Sequence, residues 1–309
     1  DYSESAVNDY LNLYINFREK VKEARDMKMD TAKSVNDELS TYRGTLAKSY
    51  LIDKEVTDQL VEEAYNRLGK EVHVEHILIK CDQNAAPADT MKAWMKANRL
   101  YNLLKKGKDF NTMAKDSSDD PSAKDNKGDL GYITALQVVY PFETTAYTTP
   151  VGQFSKPFRT RFGYHIIKVL DIRPSRGQIQ VEHIFIKVGK SFTHEDSAKA
   201  KAKIDLIYSR IKSGENFEDI AKSESEDKTS AGEGGKLAQF GTGKMVPEFE
   251  NVAFNLKNDG DLSQPFLTRF GWHVVKRLDR KGLVSFEEIR PELKLKVSKD
   301  TRSAKSKAS

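Results

Sequence analysis

The sequence predicts an α+β protein: two tandem copies of one small domain, an all-helical segment before them and a helix after them. Three observations carry this: a repeat, the order of elements inside it, and a change of hydrophobic period at each end. VEHILIK at 74–80 returns as VEHIFIK at 181–187, so His76 and His183 stand 107 residues apart. RFGYHIIKVLD at 161–171 returns as RFGWHVVKRLD at 269–279, with His165 and His273 108 apart. Between them KKGKDFNTMAK at 105–115 aligns with KSGENFEDIAK at 212–222, and Gly128-Asp129-Leu130 with Gly235-Lys236-Leu237. One residue of drift is a single loop insertion, and a unit of roughly a hundred residues can hold its own core. The reading divides the chain into a helical segment 1–70, a first unit 71–174, a second unit 178–281, and a C-terminal helix with a basic tail, 282–309.

Within each unit the order is β-α-α-β-α-β-β. HILIK and HIFIK are short β-branched, apolar runs and read as strands. Ala97, Leu100 and Leu104, matched by Ile204, Ile207 and Ile211, fall at i, i+3, i+7 and predict a helix, which Gly107 and Gly214 end. FNTMAKD and FEDIAKS predict a second short helix before a Gly/Ser/Asp-rich loop. GDLGYI and GKLAQF predict a strand, PFETTAY and EFENVAF a third helix. QFSKPFRT with YHIIKVLD, and DLSQPFLT with WHVVKRLD, predict two closing strands, giving a small, mainly antiparallel sheet. Residues 1–70 read as three amphipathic helices, with Asp53 and Thr57 as caps or first-turn residues of the last, and 286–297 as one more. The terminal helices are expected to pack on each other, since neither buries its apolar face alone.

Charge and composition exclude several functions. Fifty-one basic and 46 acidic residues leave a net charge of only +5, and no basic stripe interleaved with aromatics tracks a nucleic-acid backbone. No apolar run reaches the ~18 residues of a membrane-spanning helix. The single cysteine, Cys81, permits no intramolecular disulfide and reads as an inert thiol at a strand end. His73 and His76 form H-x-x-H, but on a strand i and i+3 point to opposite faces, so no metal site is expected. The opening DYSESAVNDYLNLY has neither the basic start nor the apolar core of a signal peptide, which fits a cytosolic protein or one whose leader has been removed.

Several separated motifs in order, H-I-L-I-K, S-x-D-P-S-A…G-D-L-G at Ser118–Gly131 and T-x-F-G-x-H, resemble the rotamase domain of the parvulin-type peptidyl-prolyl isomerases over nearly the whole unit. Two such domains after a helical segment resemble the SurA-type extracytoplasmic folding factors of Gram-negative bacteria. The resemblance implies two tandem parvulin (FKBP-like) folds, no cofactor, a periplasmic or otherwise extracytoplasmic location, and unfolded, proline-containing polypeptides as partners. It assigns polar site residues to His76, Asp120, Thr160 and His165 in the first unit, and to His183, Asp227, Thr268 and His273 in the second. The apolar proline pocket falls on Val138, Phe142 and Phe162, and on Met245, Phe249 and Phe270. Val138 departs from the family's methionine, so the second unit is expected to be the more active. The extra apolar cluster Leu136–Tyr140 is a candidate for peptide binding. The loops 81–90 and 188–196 lack the arginine cluster of the phosphate-directed branch, so no phosphoserine specificity is expected.

Turning an X–Pro amide needs no nucleophile, metal or redox group, because the barrier is mostly lost amide resonance. A dry apolar cup holds the pyrrolidine and favours the less charge-separated twisted amide, while a few polar groups guide the carbonyl. On the residues alone, the two histidines fit a structural role, satisfying each other across the sheet, as well as a catalytic one. The aspartates likewise fit simple turn capping. A non-catalytic holdase chaperone, with the units and helices as peptide-binding surfaces, is the rival to the isomerase.

Overall fold

The computed structural model describes residues 3–50, 54–188, 193–300 and 302, with side chains described over 3–44 and from 58 onward within those spans. Asp53, residues 189–192 of the second unit's first loop and most of the basic tail lie outside the described residues, as does the Thr57 side chain.

The first unit runs β1 (Lys70–Lys80), α4 (Pro87–Lys105), α5 (Phe110–Ser117), α6 (Ala123–Asn126), β2 (Asp129–Ile133), α7 (Tyr140–Thr148), β3 (Phe158–Thr160) and β4 (Gly163–Pro174). The second runs β5 (Gln178–Lys187), α8 (His194–Lys212), α9 (Phe217–Glu224), β6 (Phe240–Gly241), α10 (Pro247–Asn255), β7 (Phe266–Thr268) and β8 (Gly271–Lys281). Each forms an antiparallel four-stranded sheet, ordered β2-β1-β4-β3 and β6-β5-β8-β7. The α+β reading and the element order stand, with two differences. The turn-rich loop contains a helical turn in each unit, α6 and a 3-10 turn at Ala231–Glu233. The strand read at GKLAQF shrinks to β6 plus one bridge at Lys236, and the Gln180 amide, not the ladder, takes the Leu237 carbonyl.

The central strands are covered on both faces, so they are buried almost throughout. In the first unit Ile77, Ile79 and Ile166 pack under α4 and α5 through Ala97, Leu100, Leu104, Phe110 and Met113, a core that includes Cys81. The opposite face carries Val72, Val74, Ile167 and Val169 against Phe142 and Ala146 of α7. The second unit repeats both layers, Ile184 and Ile186 under α8 and α9, Val181 and Val275 against Phe249 and Ala253 of α10. Asp109 and Asn216 cap the short helices by accepting the N–H three residues on.

Of the N-terminal helices, α1 (Glu4–Asp26) and α2 (Lys33–Tyr50) belong to a separate unit of residues 1–56. The third, α3 (Lys54–Leu68), has nearly all of its length in the larger unit, residues 57–305, whereas the sequence reading set the end of the helical segment at residue 70. The reason is its packing: Val61 and Ala64 share a buried cluster with Leu293 and Val297 of α11 (Phe286–Lys299), and Lys294 and Arg290 reach Asp58. That cluster also takes Leu136, so the apolar loop read as a peptide-binding candidate packs against the protein's own helices.

Candidate active site

Strand register brings the histidines together. His76 lies opposite Ile167 and His165 opposite Leu78, so alternation places both histidines on the α7 side of the sheet. Their rings stack at 5.9 Å in the first unit; His183 and His273 do the same at 5.8 Å. All four are buried.

Each ring is anchored on its outer nitrogen. His76 Nε2 lies 2.6 Å from Asp120 Oδ2, and His183 Nε2 lies 2.8 Å from Asp227 Oδ2. An ionised carboxylate only accepts, so Nε2 carries the proton and Nδ1 is left as an acceptor. Thr160 Oγ1 accepts the Phe162 N–H (3.1 Å) and lies 2.8 Å from His165 Nε2; Thr268 Oγ1 accepts the Phe270 N–H (3.2 Å) and lies 2.9 Å from His273 Nε2. A hydroxyl can both donate and accept, so this contact fits either tautomer of the second ring. The Nδ1 atoms of all four histidines are buried without a hydrogen-bond partner among the described residues.

Burial makes this a site of neutral imidazoles. It pushes His165 and His273 down to about 3, helped by the neighbouring histidine and opposed by the aspartate. Burial also lowers His76 and His183, against the pull of Asp120 and Asp227. For Asp120 and Asp227 burial acts upward, but is outweighed by hydrogen bonds from Ser122 and His76, and from Ser230, Thr229 and His183, so both sit below the usual carboxylate range. Ser230, which donates to Asp227 Oδ2 at 2.6 Å, has Ala123 as its counterpart in the first unit.

Aromatic rings close the cup. Phe142 sits edge-on to His76 and His165 (5.9 and 5.5 Å), and Phe249 edge-on to His183 and His273 (5.7 and 5.4 Å). Val138 and Met245, partly buried, pack on the same clusters from the loop before α7 and α10. Phe162 and Phe270, read as pocket residues, occupy the two-residue turn before β4 and β8, 48% and 52% exposed, against the Arg161 and Arg269 guanidinium groups. The rings that stack on the second histidine are Phe158 (5.5 Å) and Phe266 (5.4 Å), each directly opposite it in register. The repeated P-F before T-x-F-G was the available signal. Gly163 and Gly271 make the turn possible: φ is 138° and 150°, and a Cβ would collide with the Ile79 or Ile186 carbonyl.

His73, by contrast, pairs with Asp129 (2.8 Å), away from His76, and that pairing raises its pKa. Glu143 and Glu250, buried beneath the loops that carry Leu136 and Met245, were not singled out from the sequence.

Comparison with known proteins places both units in one family. Models of the PPIC-type PPIase domain match residues 60–173 and 183–279. The chain belongs to the parvulin-type peptidyl-prolyl isomerase family, with two such domains in tandem. It is 36% identical to the chaperone SurA of Pseudomonas savastanoi pv. phaseolicola over 242 residues, covering 76% of this chain and 55% of that protein. It is 31% identical to SurA of Nitrosococcus oceani over 278 residues, 88% of this chain and 62% of that one. The chain thus spans just over half the length of the curated relatives it matches. Among solved structures, the parvulin of Nitrosopumilus maritimus is 32% identical, with 33% of this chain and 97% of that one covered and a TM-score of 0.28.

Proposed function

We propose that this protein is a peptidyl-prolyl cis/trans isomerase that acts as a folding factor on unfolded, proline-containing polypeptides outside the cytoplasm, with the second unit the more active. The observation that carries the reading is the twice-built pair of buried, neutral histidines under an aromatic cup, each with an ionised aspartate at its edge. Such a site supplies no nucleophile, and X–Pro rotation requires none. Phe249, Phe266 and Met245 grip the pyrrolidine and keep water out; His183, Asp227 and Thr268 fix the polar edge along which the carbonyl swings. Spontaneous exchange takes about 10–100 s. Lowering the barrier by about 4–7 kcal/mol accelerates it about 10³- to 10⁵-fold. The location and the class of client rest on the likeness to proteins named SurA chaperones.

The ranking of the units rests on the lip. In the second, flexible Met245 follows the ring; in the first, β-branched Val138 does not, and its neighbour Leu136 is committed to α3 and α11. Single substitutions test it: in X–Pro peptide exchange Met245→Ala loses more activity than Val138→Ala, and equal losses would overturn the ranking. A holding role beside catalysis is favoured by α1, where Tyr10, Leu13, Tyr14 and Phe17 are all exposed. Aggregation suppression that survives loss of the pocket residues would establish it.

A further inference from the structure

The duplicated unit carries a buried glutamate behind each pocket lip, but not the cation that holds it. Glu250 Oε1 accepts the backbone N–H of Lys244 (2.8 Å) and Met245 (2.9 Å), fixing the lip directly. Glu250 Oε2 takes Arg176 Nη2 at 3.2 Å. Arg176 lies in the linker between β4 and β5, outside the matched domain, and stacks over Phe254 at 4.2 Å. Its Nη2 also donates to Thr242 Oγ1 (3.2 Å) on the same lip. Its other edge belongs to the first unit: the Arg176 backbone N–H donates to Glu71 Oε1 (2.8 Å) and Nε is 3.5 Å from Glu71 Oε2. A third support comes from the first unit's own lip, where Gln137 Nε2 donates to the Thr242 carbonyl at 2.5 Å.

In the first unit Glu143 accepts the Leu136 N–H (2.7 Å), and its cations are Arg67 of α3 and Arg302, each at 2.8 Å. Twice, then, the lip hangs on a buried carboxylate whose partner comes from outside the unit. Removing one partner of a buried pair leaves the other uncompensated, so such a lip does not keep its place.

We propose that Arg176 is a positioning residue of the second proline pocket: through Glu250 it fixes the Met245 lip, and because Glu71 holds the same guanidinium, the docking of the two units sets the pocket's grip. This deepens the isomerase reading and rests on it. The test uses the full chain, with Arg176→Met keeping the contact on Phe254. Two readouts are taken: KM and kcat for X–Pro peptide exchange, and the Met245 methyl signal in methyl-labelled protein, identified with Met245→Leu.

The expected result is a KM raised about five- to tenfold with kcat held within about twofold, because grip is lost and not the polar edge. The Met245 methyl shifts in parallel, Arg176→Lys restores part of both, and Glu71→Gln moves both less, in the same direction. Ile204→Val, in the remote helix-side core, lowers the melting temperature and leaves both unchanged. An unmoved Met245 methyl in folded Arg176→Met overturns the proposal, as does an equal shift in Ile204→Val. If Arg176→Met does not fold, Glu71→Gln decides by the same readouts. A wild type without isomerase activity would sink the functional reading, while the methyl signal would still decide the positioning.

Discussion

Acidification from pH 8 to pH 5 should destabilise each parvulin unit by about 2 kcal/mol through one histidine alone. His165 and His273 titrate near 3 in the fold, against 6.5 when unfolded, chiefly because they are buried. The sign follows from proton counting. Below 6.5 the unfolded chain binds a proton that the folded ring refuses, so stability is fully present above 6.5 and is lost as pH falls from there toward 3. At pH 5 the unfolded histidine is protonated about thirtyfold over neutral while the folded one stays neutral, and one and a half decades at 1.36 kcal/mol each give about 2 kcal/mol. His76 and His183, also lowered by burial, add loss in the same direction. His73, raised by its bond to Asp129, acts oppositely in the first unit, and Glu182, raised by burial, acts oppositely in the second. The lowered aspartates contribute nothing in this window, since their stabilisation is lost only below about pH 4.

The two tryptophans allow the units to be followed separately. Trp94 lies on α4 and Trp272 on β8, so Trp94→Phe leaves a reporter in the second unit and Trp272→Phe one in the first. Urea unfolding by fluorescence at pH 8 and 5 gives the two differences. Ring nitrogen shifts in the folded protein at pH 5 should show His165 and His273 still neutral. Equal stability at the two pH values, or imidazolium signals from those rings at pH 5, would refute the argument from burial.

Two further outcomes follow from packing. Gly271→Ala, which forces a side chain into φ 150° and against the Ile186 carbonyl, should destabilise the second unit by more than about 2 kcal/mol, read with the Trp272 reporter. Leu293→Ala, which empties the cluster between α3 and α11, should cost about 2–5 kcal/mol, and limited proteolysis should then cut α3 first; α3 as resistant as in wild type would contradict that packing.

How much of this was legible depended on whether a residue belonged to the repeat. His76, Asp120, Thr160 and His165 recur as His183, Asp227, Thr268 and His273, and the strands that present them are the most strongly patterned runs in the chain. Phe158 and Phe266, which stack on the second histidine, were missed because site residues were assigned by motif and not by register. Two residues before Thr160, Phe158 shares its face and lies opposite His165, whereas Phe162 falls in the turn, where alternation ends. Arg176, Arg67 and Arg302 were illegible for a different reason. Their glutamates repeat, but each cation comes from a segment with no counterpart in the other unit, and only the tertiary fold brings it across. The same holds for α3, whose amphipathic period resembles that of α1 and α2 while its partner lies more than two hundred residues away.

The most direct test of the central claim is cis/trans exchange of a short X–Pro peptide with the wild-type chain and with Asp227→Ala plus Met245→Ala. The account predicts exchange at least about 10³-fold above the spontaneous rate for the wild type, falling steeply in the double variant. Fast exchange that survives unchanged would move the working site to the first unit. No exchange above background from a folded wild type would contradict the isomerase reading and leave a chaperone that binds without turning the bond.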